Sequence, residues 1–341
     1  MGKVDRALSA VFGLSEGKAI IASTRRAFLT AAGAGLAAPS LAQGQAWPNR
    51  AVRLISPFPP GGPQDIPARF MAEFLTPRLG QPVVYEHRAG AGVSLGAQHV
   101  AQATDHHSFL VTSSSITTLP AMRRHPELDL LTDLQPVTLV TDTPMLLLGR
   151  PNGPVDLVRF LALARTNPGK VSWGSSGVGT ATHLAGALLM QRAGIRLEHV
   201  PYRGATLAMN ALLAGDIDSI ISEGPIPLEH LRAGTLRPIG VTGSLRAPLL
   251  DNVPAIIEHV PRYSVTSWLA LMAPKAMPAE PVARLLAELA PLAAPDSALF
   301  RRMAERGSEL LLNGPAPLAA RLRQEIPQWR AVVAAAGIQP E

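Results

Sequence analysis

Val52-Arg53-Leu54-Ile55-Ser56-Pro57-Phe58-Pro59-Pro60-Gly61-Gly62-Pro63-Gln64-Asp65-Ile66-Pro67-Ala68-Arg69 is the stretch on which the reading of this chain turns. An apolar strand runs into a Pro/Gly turn, and an amphipathic helix begins at once. Backbone N–H groups at a helix start lack partners inside the helix, which makes such a turn a good place to hold a carboxylate. Gly61 and Gly62 let a ligand approach the backbone closely beside Pro59 and Pro60. Asp65 is placed to accept N–H bonds as a cap, and Phe58 offers a ring wall. The loop carries no obvious nucleophile, base or metal ligand, so it predicts anion binding without chemistry. The alternative is a simple Gly/Pro turn over a core phenylalanine.

Outward from this loop, apolar runs alternate with helical patterns, which predicts α/β domains with mainly parallel sheets. Strands are expected at 52–56, 82–86, 108–112, 136–140, 145–149, 171–174, 197–200, 217–221, 237–242 and 267–273. Helices are expected at 64–78, 93–103, 155–166, 180–193, 204–214, 227–233, 279–291, 296–306 and 315–336. Leu79-Gly80, Ala193-Gly194, Ala214-Gly215 and Ala233-Gly234 each place a glycine where a left-handed helix end wants one. Two segments read as crossovers: Val137 to Leu148, joined through Thr141-Asp142-Thr143-Pro144, and Tyr263 to Met272. They predict one discontinuous lobe from 43–142 plus 267–341 and a second from 143–266. Two lobes joined by two strands are the usual plan of a hinged protein that binds its ligand in the cleft.

A second Gly/Ser loop, Gly174 to His183, again follows a strand (Val171-Ser172-Trp173) and opens a helix. Ser176, Gly177, Gly179 and Thr180 supply backbone and hydroxyl donors suited to an anion. His183 lies inside the helix start and reads equally well as a structural histidine. Two such loops, one per lobe, can clamp a ligand from both sides. Further candidates follow strand ends, where α/β folds bind ligands: Ser114 and Ser115, Tyr202 and Gly204, and Ser222 in Ser222-Glu223-Gly224.

Composition narrows the classes. The chain has 341 residues and no cysteine, which excludes disulfides, thiolate metal sites and cysteine nucleophiles. Residues 1–42 read as a twin-arginine (Tat-type) export signal: Arg25-Arg26, the Ala/Gly/Leu run Ala31 to Ala38, and Leu41-Ala42 before a cleavage point. Cleavage is expected after Ala42, with Ala46 the second choice, and the true start codon is expected later than Met1. The signal holds five Lys/Arg and two acids of a formal +6, leaving +3 for the remainder, too little for a nucleic-acid footprint. No later stretch is long and apolar enough to span a membrane. Gly92-Val93-Ser94-Leu95-Gly96 spells a nucleophile elbow and Gly90-Ala91-Gly92 with Gly96 nearly spells a dinucleotide loop, but the strand, oxyanion hole and ribose acid that would complete them are missing. His106-His107 lacks further spaced ligands, so no metal and no cofactor is expected.

These residues resemble the periplasmic solute receptors of tripartite tricarboxylate transporters, the Bug or TctC-type family, over Trp47 to about Ile338. The resemblance rests on Pro57-Phe58 with Gly61-Gly62-x-x-Asp65 and Ala68-Arg69; Leu79-Gly80-Gln81-Pro82-Val83-Val84; Arg88-Ala89-Gly90-Ala91-Gly92; and Pro136-Val137-Thr138-Leu139-Val140. It continues through Ser175-Ser176-Gly177-x-Gly179-Thr180-x-x-His183-Leu184, His199-Val200-Pro201-Tyr202-Arg203-Gly204, Ala233-Gly234-x-Leu236-Arg237 and Ser267-Trp268 before Leu271-Met272-Ala273-Pro274. It implies a two-lobed, Venus-flytrap (type II-like) periplasmic receptor that holds a small organic acid between its lobes and serves transporter membrane subunits. The carboxylate is then expected on the turn Pro59 to Gly62 and the loop Gly177 to Thr180, with Phe58 and Asp65 near the pocket. The chain departs from the family pattern at Ile116-Thr117 and Leu119, at Asp105-His106-His107, and at Ile221-Ser222-Glu223, where an aspartate is common at the position of Ser222. Loss of that acid is expected to disfavour ligands with an amino group. The rival readings are a ligand-binding receptor feeding a signalling system and an α/β serine hydrolase using Ser94.

Overall fold

A computed structural model describes residues 47–90, 93–122, 128–223 and 227–339. The expected export signal, Ala91, Gly92 and Gly224 lie outside the described residues. In chain order the elements are β1 (Val52–Ser56), α1 (Asp65–Leu79), β2 (Val83–His87), α2 (Ser94–Ala101), β3 (Ser108–Ser113), α3 (Leu119–Met122), β4 (Leu134–Pro144) and β5 (Leu146–Gly149). There follow α4 (Leu157–Thr166), β6 (Ser172–Ser175), α5 (Ala181–Ala193), β7 (Glu198–Pro201), α6 (Ala205–Ala214), β8 (Ser219–Ser222), α7 (Leu228–Arg232) and β9 (Arg237–Val241). The chain ends with β10 (Thr266–Pro274), α8 (Ala279–Leu289), α9 (Ala298–Ala304), β11 (Glu309–Leu310) and α10 (Pro315–Ala335).

Among the described residues the strands form a six-stranded sheet, β11-β4-β10-β3-β1-β2, and a five-stranded sheet, β7-β6-β8-β5-β9. The α/β expectation holds, but the sheets are mixed rather than mainly parallel. β1 runs parallel to β2 and β3, and β6 runs parallel to β7 and β8. β10 is antiparallel to both β3 and β4, and β5 is antiparallel to both β8 and β9. The antiparallel pairs arise at the crossovers, where the chain passes between sheets without a helix to turn it.

The segment Thr141-Asp142-Thr143-Pro144, expected to be a connector, is strand. β10 pairs with β4 through Asp142, Thr143 and Pro144, so the ladder extends to the last residue before Met145. The two crossing points are then knitted by one side chain. Thr242 is fully buried; its Oγ1 accepts the Met145 N–H at 2.9 Å and donates to the Val265 carbonyl at 2.7 Å or the Met145 carbonyl at 3.0 Å.

Sheet faces are covered in the usual way, with apolar helix stripes against apolar strands. Met71, Leu75 and Leu79 of α1 pack with Leu54 and Phe109 on one face of the larger sheet. The ends of α1 follow local rules: Gly80 (φ +67°) closes it in the left-handed conformation and returns its N–H to Thr76. In the smaller-sheet lobe Trp173 lies against α5 only because residue 186 is glycine; a Cβ there would collide with the indole ring.

The C-terminal helix α10 belongs to both halves. Leu318, Leu322 and Ile326 pack in a core with Trp268 and Met272 of β10, whereas Trp329, Val332 and Val333 pack in a core with Leu184 and Leu188 of α5. Its 21 residues span about 30 Å, enough to reach across both sheets. Where it crosses β4 and β10 it carries charge inward. Arg321 Nη2 pairs with Asp142 Oδ2 at 2.7 Å and its Nη1 donates to Thr266 Oγ1 at 3.0 Å. Glu325 accepts the Trp268 Nε1–H at 2.9 Å and the Thr117 hydroxyl at 3.0 Å. Burial raises the Glu325 carboxyl above its ordinary range, and the Trp268 bond and Arg321 oppose this.

Candidate functional site

The first loop joins the end of β1 to the start of α1, as read from the sequence, but its donors are partly occupied. Gly61 (φ +95°) donates its N–H to Asp65 Oδ2 at 2.7 Å, and Tyr85 donates its hydroxyl to Asp65 Oδ1 at 2.7 Å. Asp65 therefore holds the loop in shape instead of capping the N–H groups that follow it. Burial drives the Tyr85 phenol well above its usual range, so the hydroxyl is a permanent donor to Asp65. The Phe58 N–H bonds Ser56 Oγ, and His87 Nδ1 lies 3.0 Å from the Phe58 carbonyl. The N–H groups of Gly62 and Ile66 have no partner among the described residues and remain available at the helix start. Pro59 and Pro60 are exposed, and Phe58 is half-buried.

Gly96, the second glycine of the elbow spelling, has a packing role. A Cβ at Gly96 would lie 2.7 Å from the Arg88 carbonyl and 2.8 Å from Pro57 Cα, so glycine lets α2 close onto the root of the first loop. β2 ends at His87, and Ser94 opens α2 seven residues later, with no strand among the described residues between them.

A cleft of about 390 Å³ lies against this loop. Gly61, Gly62, Pro63 and Ile66 line it, with Thr141 and Thr143 of β4, Ser267 and Leu269 of β10, Met303 near the end of α9, and Arg306 and Ser308 from the α9–β11 turn. From the smaller-sheet side come Ala205, the first residue of α6, and Glu223, which follows β8. Thr143 Oγ1 and Ser308 Oγ are 2.8 Å apart and fix each other's rotamers. α6 has no side-chain cap at Gly204 (φ +114°), which leaves its first turn of N–H groups uncapped beside the cleft.

The second loop is knotted on itself. Gly179 donates its N–H to His183 Nδ1 at 2.9 Å, and the Gly177 N–H bonds Ser175 Oγ at 3.2 Å. The Ser176 N–H bonds Thr182 Oγ1 at 2.9 Å, while Thr180 Oγ1 donates to the Gly177 carbonyl and caps α5 by accepting the His183 N–H. The expectation that these glycines present free donors is corrected: Ser175 of β6 satisfies the Gly177 N–H and His183 of α5 that of Gly179. His183 is the cap's base. Its ring stacks on His199 with centroids 4.1 Å apart, and His199 stacks on Trp173 at 4.3 Å. Burial lowers both histidines to about 4, so both rings are neutral at pH 7. The loop still reaches the cleft through its neighbours: the Gly204 N–H bonds the Ser176 carbonyl, and Tyr202 bonds that of Ser175.

The structure thus brings Gly61 and Gly62 into the cleft and sets Gly204 beside it. Ser176, Gly177, Gly179, Thr180, His183 and Tyr202 do not line it, although the Ser176 carbonyl accepts the N–H of Gly204 beside it. Ser114 and Ser115 lie in the turn after β3, where the Ser115 carbonyl accepts the Thr118 hydroxyl and the Ser114 carbonyl is the alternative acceptor, to Glu325, for the Thr117 hydroxyl. Ser222 is tied into the ladder opposite Leu146, and the acid that the sequence reading found missing there stands one residue later at Glu223. Burial raises the Glu223 carboxyl above its ordinary range, with the Ser176 hydroxyl opposing.

Sequence reasoning missed Arg306, Ser308, Thr141, Thr143 and Ser267. Arg306 sits in a charged stretch that reads as solvated surface. The alternation of Thr141 with Thr143 was the one available signal, since residues two apart share a strand face.

Two sheets with a cleft lined from both sides define a two-lobed binding protein. No helix among the described residues is long and apolar enough to cross a membrane. A family model described as "Tripartite tricarboxylate transporter family receptor" (TctC) matches residues 67–338. Protein BugT of Bordetella pertussis (strain Tohama I) is 33% identical over 309 residues, which cover 89% of this chain and 94% of BugT. A solved structure of R. palustris Rpa4515 with adipate is 30% identical, with a TM-score of 0.72, covering 86% of this chain and 100% of that one. MatC from Rhodopseudomonas palustris with bound malate is 29% identical, with a TM-score of 0.68, covering 84% and 100%. The chain belongs to the tripartite tricarboxylate transporter receptor family.

Proposed function

We propose that this protein captures a small organic anion, a carboxylate, between lobes of about 43–142 plus 267–341 and 143–266, and releases it unchanged to transporter membrane subunits. One observation carries the reading: a single cleft is lined by the β1–α1 loop on one side and by Ala205 and Glu223 on the other. The free N–H groups of Gly62 and Ile66, the Arg306 guanidinium and the hydroxyls of Thr141, Thr143, Ser267 and Ser308 suit a carboxylate in a water-poor space. Closure of the lobes then follows from whatever extra affinity the closed cleft has for the ligand. This reading takes the protein as a receptor and not an enzyme, in keeping with its family, and Ser94, which opens α2, is not among the residues that line the cleft. Export by the Tat-type signal, with cleavage near Ala42, places it in the periplasm without stable membrane insertion. The similar proteins with adipate and malate agree with a carboxylate ligand.

A thermal-shift screen of the purified protein against mono-, di- and tricarboxylates and aromatic acids tests this. A ligand at a hundred times its Kd adds about 2.7 kcal/mol to the native state, a rise of about 5 °C for a chain of this size. If no acid moves the transition, the receptor reading falls.

A further inference from the structure

The cleft has a direction. On the larger-sheet side stand the free N–H groups at the start of α1, the Arg306 guanidinium and the Thr143–Ser308 hydroxyl pair. Arg306 makes no ion pair among the described residues, so its charge is available to a ligand. Across the cleft stands Glu223, the residue that follows β8. These two are the ionisable residues of the cleft lining, one of each sign and on opposite sides. Glu223 has the Ser176 hydroxyl beside it, and no basic side chain among the described residues offsets its charge. A carboxylate pressed against an unneutralised carboxyl is repelled unless a proton is shared between them. A hydroxyl or ammonium there gains an acceptor already in place.

We propose that Glu223 sets the specificity of this receptor, accepting a hydrogen-bond donor at the far end of the ligand and turning away a second carboxylate. The ligand class is then a monocarboxylate bearing a hydroxyl or amino group, with its carboxylate on the Arg306 side. The proposal rests on the reading of the cleft as a carboxylate site. It also replaces the expectation drawn from Ser222: the acidic group has moved by one residue and is not lost.

The test is isothermal calorimetry at pH 7.5 with chain-matched probes: 4-hydroxybutanoate, 4-aminobutanoate, butanoate and succinate, then the series one and two carbons longer. Wild-type protein is expected to bind the hydroxy or amino acid at least tenfold more tightly than the matched dicarboxylate. Glu223→Gln, checked for an unchanged melting temperature, is expected to bring that ratio below threefold or invert it. Equal or tighter dicarboxylate binding by wild type, or a ratio that Glu223→Gln leaves unchanged, overturns the proposal while leaving the carboxylate site standing. Absence of binding by every acid overturns both.

Discussion

Replacing Thr242 by valine tests the crossing point of the two strands. Valine matches threonine in shape and keeps the backbone bonds of residue 242, including its N–H to the Met145 carbonyl at 2.9 Å. The substitution removes only the hydroxyl. The Met145 N–H loses its acceptor at 2.9 Å, and the Val265 carbonyl loses its donor at 2.7 Å. The Met145 carbonyl keeps the backbone partner. Two orphaned buried groups at about 1–3 kcal/mol each cost about 2–6 kcal/mol. A buried methyl in place of the hydroxyl returns about 0.8 kcal/mol. The net loss is about 1–5 kcal/mol, a large part of a typical stability of about 5–15 kcal/mol. Thr242→Ser keeps the hydroxyl and costs only a methyl, about 1 kcal/mol. Urea unfolding followed by circular dichroism gives the midpoint of each variant. Thr242→Val should fall well below Thr242→Ser, which should lie close to wild type. A Thr242→Val midpoint equal to that of wild type refutes the assignment of the hydroxyl as the tie between Met145 and Val265.

Other outcomes follow from the same contacts. His183 titrates near 4 in the folded protein against 6.5 ordinarily. The unfolded chain therefore takes up a proton between those values that the folded protein refuses, and stability, full above about pH 6.5, falls as pH drops towards 4, by about 3 kcal/mol for this residue. His183→Gln should flatten the melting temperature against pH over that window; an unaltered slope counts against the buried neutral ring. Arg321→Met leaves Asp142 and Glu325 without their cation and should destabilise by about 3 kcal/mol or more, read as a lower denaturation midpoint. Gly186→Leu should unfold the smaller-sheet lobe or cost several kcal/mol, because its side chain would occupy the Trp173 ring; a soluble variant with wild-type tryptophan fluorescence would contradict that packing. Gly61→Val, strained at φ +95° in the loop that lines the cleft, should abolish carboxylate binding while retaining a cooperative melt, and wild-type affinity would remove the loop from the site.

Much of this protein is local and was legible in order. The strand, the Pro/Gly turn and α1 follow from an apolar run, two prolines with two glycines, and a 3.6-residue apolar stripe, all set by neighbours within a few positions. Gly80, Gly194 and Gly215 end helices for the same reason: a left-handed residue is needed there whatever surrounds it. The family motifs identified the architecture because they record such local geometry. What the sequence could not decide was which of its donors are already in use. Asp65 takes the Gly61 N–H, and His183 takes that of Gly179, through side chains folded back by the turn itself. Nor could it decide which side of β8 faces the ligand. Ser222 and Glu223 differ by one position, and only pairing with Leu146 assigns the first to the ladder and leaves the second to the cleft. Arg306 came to the cleft from a helix-end turn more than eighty residues away in sequence, and Thr242 came to hold two strands whose meeting exists only in the folded chain. Local chemistry fixes each element; the partner strand decides which of its side chains meet.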